Sequence, residues 1–66
     1  EISVEIGNKR EEGISLGNIG ETLMETGDLN KSREYLEKSL QIFRDIGDAN
    51  LEKLILKDLK KIEIKK

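Results

Sequence analysis

Fourteen acidic and twelve basic side chains, with no histidine, cysteine, proline or tryptophan, set the chemical repertoire of this 66-residue sequence. A disulfide is excluded, and so is any zinc site built on Cys or His. There is no Cys nucleophile, and a Ser nucleophile has no His to take its proton. What remains is carboxylate and ammonium chemistry. Glu11, Glu12, Glu21 and Glu25 offer paired carboxylates for acid–base work. A chain this short encloses no cleft large enough to raise a carboxyl pKa, so these groups are expected to be solvated helix charge. Gly13, Gly17 and Gly20 suggest a phosphate loop, but no Gly-Lys-Ser/Thr follows and they fall inside a helical period. Close helix packing is their expected role. Tyr35 and Phe43 are the only aromatics and both sit at core spacing, which leaves no material for stacking bases. The sequence therefore implies no enzyme, no cofactor and no metal.

Composition narrows the class further. Charged residues make up 39% of the chain and hydrophobic ones 35%, but the latter recur with a helical period, which argues against disorder. A formal net charge of −2 gives no electrostatic reason to bind nucleic acid. No apolar run approaches the roughly 20 residues of a membrane span, and no basic segment leads into an apolar one as a secretory signal would. A cytoplasmic setting is expected, and Glu1 in place of Met suggests a processed chain or a piece of a longer one. Charge is unevenly placed: residues 1–49 carry −5 and residues 50–66 carry +3.

The elements that hold these residues are punctuated by glycine. Gly27-Asp28 and Gly47-Asp48 read as a helix stop followed by a capping acid for the next helix, and Gly7-Asn8 has the same form. Between these marks lie apolar positions three and four apart. Leu16, Ile19 and Leu23 share one face. Leu29, Leu36, Leu40 and Phe43 form a second stripe, joined by Tyr35, Ser39, Ile42 and Ile46. Leu51, Ile55, Leu59 and Ile62 form a third, flanked by Leu54 and Leu56. The expected fold is all-α, with three helices in antiparallel helix-turn-helix order within one domain, 1–66. Residues 1–7 are expected to end a preceding helix, and the three helices to cover 9–26, 29–46 and 50–65.

Shifted by 40 residues, the chain overlays itself: Ile2 on Ile42, Ile6 on Ile46, Gly7 on Gly47, Glu12 on Glu52 and Leu16 on Leu56. A fixed period of this size marks stacked helix pairs. The residues then resemble the tetratricopeptide repeat (TPR). Ile14-Ser15-Leu16-Gly17-Asn18-Ile19-Gly20 is similar to the family's first-helix signature. Gly27-Asp28-Leu29 resembles its turn, and Ser32, Tyr35, Ser39 and Leu40 fall at the spacings of its second helix. With a 40-residue period and no terminal proline, the chain resembles the variant found in kinesin light chains and prokaryotic scaffold proteins. Gly20, Ser32 and Ser39 would be the small residues where helices cross. Where the repeat has Gly17, Gly20 and Leu23, the offset copy has Lys57, Lys60 and Glu63, so 50–65 reads as a capping helix with a polar outer face.

The resemblance implies a protein–protein interaction scaffold that lays a peptide or partner protein along a concave groove. Carried onto this chain, the groove positions are Gly17, Glu21, Met24 and Glu25, then Lys57, Lys61, Ile64 and Lys65, and helix spacing puts each set on one face. A clamp for a C-terminal carboxylate, known in part of the family, is disfavoured because Gly17 and Glu21 occupy its positions. Asn18 is read as a polar residue near the helix crossing. The alternative function is self-association, a homo-oligomerisation module of a larger TPR protein, with Leu16, Leu36 and Phe43 seeking a second copy.

Overall fold

A computed structural model describes the backbone of residues 2–65 and the side-chain surroundings of residues 7–63. It is all-helical: α1 (Ile2–Thr26), α2 (Leu29–Ile46) and α3 (Ala49–Lys65) follow one another with two short turns. At 1.5 Å per residue the 25 residues of α1 span about 37 Å, which accounts for most of the 42 Å long axis of the molecule. α1 lies along α2, while α3 packs chiefly on α2 and touches α1 at few points.

Both turns are built alike. Gly27 (φ +94°) and Gly47 (φ +74°) take the left-handed conformation that glycine adopts without steric cost. Behind them the Asp28 N–H donates to the Leu23 carbonyl and the Asp48 N–H to the Phe43 carbonyl, both at 2.9 Å. That pattern closes the orphan carbonyls of a helix end. Each aspartate then starts the next helix. The Lys31 N–H donates to Asp28 Oδ1 at 3.3 Å and the Leu51 N–H donates to Asp48 Oδ1 at 3.2 Å. Asp48 also pairs with Arg10 Nε at 3.0 Å, tying the turn back to α1.

The third glycine pair behaves differently. α1 runs unbroken from Ile2 through Gly7-Asn8, so the expected break between 1–7 and 9–26 is absent among the described residues. After Asn8 come Lys9, Arg10, Glu11 and Glu12, all exposed. A reversal there would bring no apolar residue onto the core. Carrying one glycine inside a helix costs only about 1 kcal/mol, less than interrupting a cooperative run of backbone hydrogen bonds and nucleating a new one.

The core also inverts the expected role of α1. Leu36, Leu40 and Phe43 of α2 and Ile55 and Ile62 of α3 are buried, but α1 contributes Gly13, Gly17 and Gly20 to that interior rather than the 16/19/23 face. Leu16 and Leu23 are half-buried and Ile19 is exposed. The glycines let α2 come close. A Cβ at Gly13 would sit 2.6 Å from the Phe43 ring, and one at Gly20 would sit 2.7 Å from Leu36 Cγ. At the same crossing Ser39 Oγ donates to the Gly13 carbonyl and Ser32 Oγ to the Gly20 carbonyl, each at 2.6 Å, with both serines fully buried. The small residues thus serve the close packing expected of them. Leu36 and Phe43, expected to be exposed and to seek a second copy, are instead covered within the chain.

Candidate functional site

Two helices present the same spacing to a shared groove. α1 contributes Ile14, Gly17, Asn18 and Glu21; α3 contributes Leu51, Leu54, Ile55 and Asp58. Both sets follow the i, i+3, i+4, i+7 pattern that collects residues on one helix face. Phe43 of α2 closes the floor, and the space enclosed is about 240 Å³. Gly17 permits this approach, since a Cβ there would stand 3.1 Å from Ile55 Cδ1. Ile14 is 41% exposed and Leu54 is 54% exposed, so the walls offer apolar surface to solvent.

One side of this groove is acidic. Asp58 lies on the core side of α3 between Ile55 and Ile62 and is only 8% exposed. The Glu21 carboxyl faces it across the groove. Partial desolvation, first, and then the neighbouring Asp58 carboxylate hold Glu21 above its usual carboxyl range. Glu25 adds to this effect and Lys61 opposes it. Lys61 Nζ stands 3.9 Å from Asp58 Oδ1, so one exposed ammonium serves two carboxyl groups. Glu21 nevertheless stays exposed, as expected of a solvated helix charge, and its shift reflects the Asp58 carboxylate and apolar walls beside it.

The residues singled out from the resemblance are divided by the structure. Gly17 and Glu21 line the groove, with Lys61 at the Asp58 end. Glu25 is exposed one turn beyond Glu21, and Met24 packs half-buried against the core. Lys57 does not join them. It borders a second hollow of about 380 Å³ on α3 with Lys53, Leu56 and Lys60. The side chains of Ile64 and Lys65 lie outside the described residues. Asn18, expected near the helix crossing, is an exposed residue of the groove wall. Compared with known proteins, the sequence matches no family model, and no curated protein and no solved structure matches it. The site must be read from its own geometry. Asp58 is the residue that sequence reasoning missed. Its signal was present: it sits three residues after Ile55 and four before Ile62, a carboxylate set into the apolar stripe.

Among the described residues no three His, Cys, Asp or Glu side chains are grouped to hold a metal ion, and no helix is long and apolar enough to cross a membrane. Elsewhere the charges pair along the surface. Arg44 Nε lies 3.2 Å from Glu52 across the second turn, and Lys38 Nζ lies 3.9 Å from Glu34 within α2. Lys38 also stands 5.5 Å from the Tyr35 ring centre. Exposed pairs of this kind contribute little individually.

Proposed function

We propose that this chain is a protein-interaction module of the TPR-like, helix-pair kind, receiving a peptide or a segment of a partner protein between α1 and α3. The observation that carries the proposal is the groove itself, where exposed Ile14 and Leu54 flank an opening beside the Glu21–Asp58 pair. Exposed apolar surface in a concavity with a few polar groups is the usual form of a binding site. At about 240 Å³ the space falls below the roughly 300–1,000 Å³ typical of small-molecule sites. It suits one or two side chains of a longer ligand. The glycine and serine crossing of α1 on α2, followed by a third helix on α2, supports the TPR-like reading, and a scaffold role in the cytoplasm follows from that reading. The acidic side favours segments that place Lys or Arg beside an aliphatic residue.

Chemical-shift mapping of the labelled chain against short peptides tests this. Peptides containing adjacent Lys and Leu are expected to move the amide signals of Ile14, Asn18, Glu21, Leu54 and Asp58, and Glu21→Lys is expected to weaken that response. Shifts scattered over the surface, or a response indifferent to Glu21→Lys, refute the groove.

A further inference from the structure

Two surfaces of this chain are complementary and cannot meet within one molecule. The first is the groove, with apolar walls at Ile14 and Leu54 and with Glu21, Asp58 and Glu25 outnumbering the single Lys61. The second is the outer side of α3, where Leu56, 40% exposed, is surrounded by Lys53, Lys57 and Lys60. None of these three lysines pairs with a carboxylate among the described residues. At 3.6 residues per turn, Leu54, Ile55 and Asp58 point to one side of α3, and Lys53, Leu56, Lys57 and Lys60 to the other. A chain therefore cannot turn its own lysine side into its own groove.

We propose that the lysine-flanked Leu56 face of α3 docks into the Ile14–Leu54 groove of a second copy, making a head-to-tail contact. Leu56 supplies the apolar side chain for the walls, and the surrounding lysines supply the cations that the Glu21–Asp58 end lacks. Proximity of a second ammonium would favour the charged form of both carboxyl groups, relieving the crowding that burial and Asp58 impose on Glu21. The two surfaces are different, so each docked copy still presents one free groove and one free lysine face. Such heterologous contacts extend into rings or open chains rather than stopping at a two-fold dimer. The interface differs from the one expected at Leu36 and Phe43, which are buried. It uses the groove proposed for partners, but with a different occupant.

Sedimentation velocity on the full chain tests the contact, with circular dichroism confirming that each variant stays helical. The mean mass is expected to rise with concentration at low salt, and the association to weaken about tenfold as ionic strength increases from 0.05 to about 0.5 M, where screening shortens to a few ångströms. Lys57→Glu and Glu21→Lys lie at exposed positions and should each reduce association about tenfold alone. Mixed in equal amounts, the two variants should associate again, because each reversed surface now faces a reversed partner. A chain that stays monomeric at low salt, association untouched by either reversal, or a mixture that fails to recover it would overturn the proposal. A monomer that still binds a Lys-Leu peptide in the groove overturns this contact alone and leaves the partner-binding function standing.

Discussion

Replacing Gly20 by alanine puts two opposing effects on one atom. In solvent-facing helix, Gly→Ala is stabilising by up to about 1 kcal/mol, since alanine loses less backbone freedom on folding. At Gly20 the new Cβ would lie 2.7 Å from Leu36 Cγ, 2.8 Å from Leu36 Cδ2 and 3.3 Å from the Ser32 carbonyl oxygen. Leu36 is fully buried and has no room to withdraw. Overpacking of this kind costs about 1–3 kcal/mol. Separating the helices also stretches the 2.6 Å bond from Ser32 Oγ to the Gly20 carbonyl, worth about 0.5–1.5 kcal/mol. The cost outweighs the propensity gain, and a net loss of about 1–3 kcal/mol is expected. For a domain of this size that lowers Tm by about 4–8 °C per kcal/mol. Gly7→Ala is the internal control: it lies in the same helix with nothing within 4 Å of its Cβ, so it should raise Tm. Thermal and urea unfolding followed by circular dichroism read both variants against the parent. If Gly20→Ala melts at or above the parent while Gly7→Ala is stabilised, the helices are not held at the described distance and the reasoning fails.

Other outcomes follow from neighbouring features. Asp48→Ala removes both the cap on α3 and the partner of Arg10, so its loss of about 1–2 kcal/mol in urea unfolding should exceed that of Asp28→Ala, which removes a cap alone. Leu36→Ala should cost about 2–5 kcal/mol and abolish a sharp melt, whereas Ile19→Ala should stay within about 0.5 kcal/mol. Glu21 keeps its proton to higher pH in the folded than in the unfolded chain. Its contribution is therefore most favourable below the ordinary glutamate pKa and is lost as pH rises through the raised folded value. Glu21→Gln should accordingly raise Tm at neutral pH, with the gain disappearing towards pH values of about 4; an unchanged difference across that range would contradict the shift.

The all-helical fold was legible because glycine–aspartate carries two instructions at once. In Gly27-Asp28 and Gly47-Asp48 one residue reverses the chain and the next caps a new helix whose apolar residues reach the core. Gly7-Asn8 has the same chemical form without that apolar reward, since four charged residues follow, a signal the sequence itself carries. The α2 stripe was legible because its apolar residues fill the interior directly. The face of α1 was legible only in part: Gly13, Gly17 and Gly20 carry the close-packing role expected of them, but the Leu16, Ile19 and Leu23 stripe is half-buried or exposed, because glycines carry no hydrophobic signal to mark the inward side. The groove set read from the resemblance brought Glu21 and Lys61 to one place but left Lys57 elsewhere, and it omitted Asp58. A buried carboxylate acquires its meaning from the neighbours that desolvate it, and those neighbours belong to another helix.

The two serine bonds at the helix crossing have a mechanical consequence. Ser32 and Ser39 are seven residues apart on α2, and their acceptors Gly20 and Gly13 are seven apart in the opposite direction on α1. They act as two rivets through one seam. Sliding α1 along α2 by a turn, about 5.4 Å, would shear both and strand two buried hydroxyls. The α1–α2 hairpin is thereby held in one register. By contrast α3 touches α1 at few points and is joined to the hairpin through the Gly47 turn, so the width of the groove depends on how α3 sits on α2.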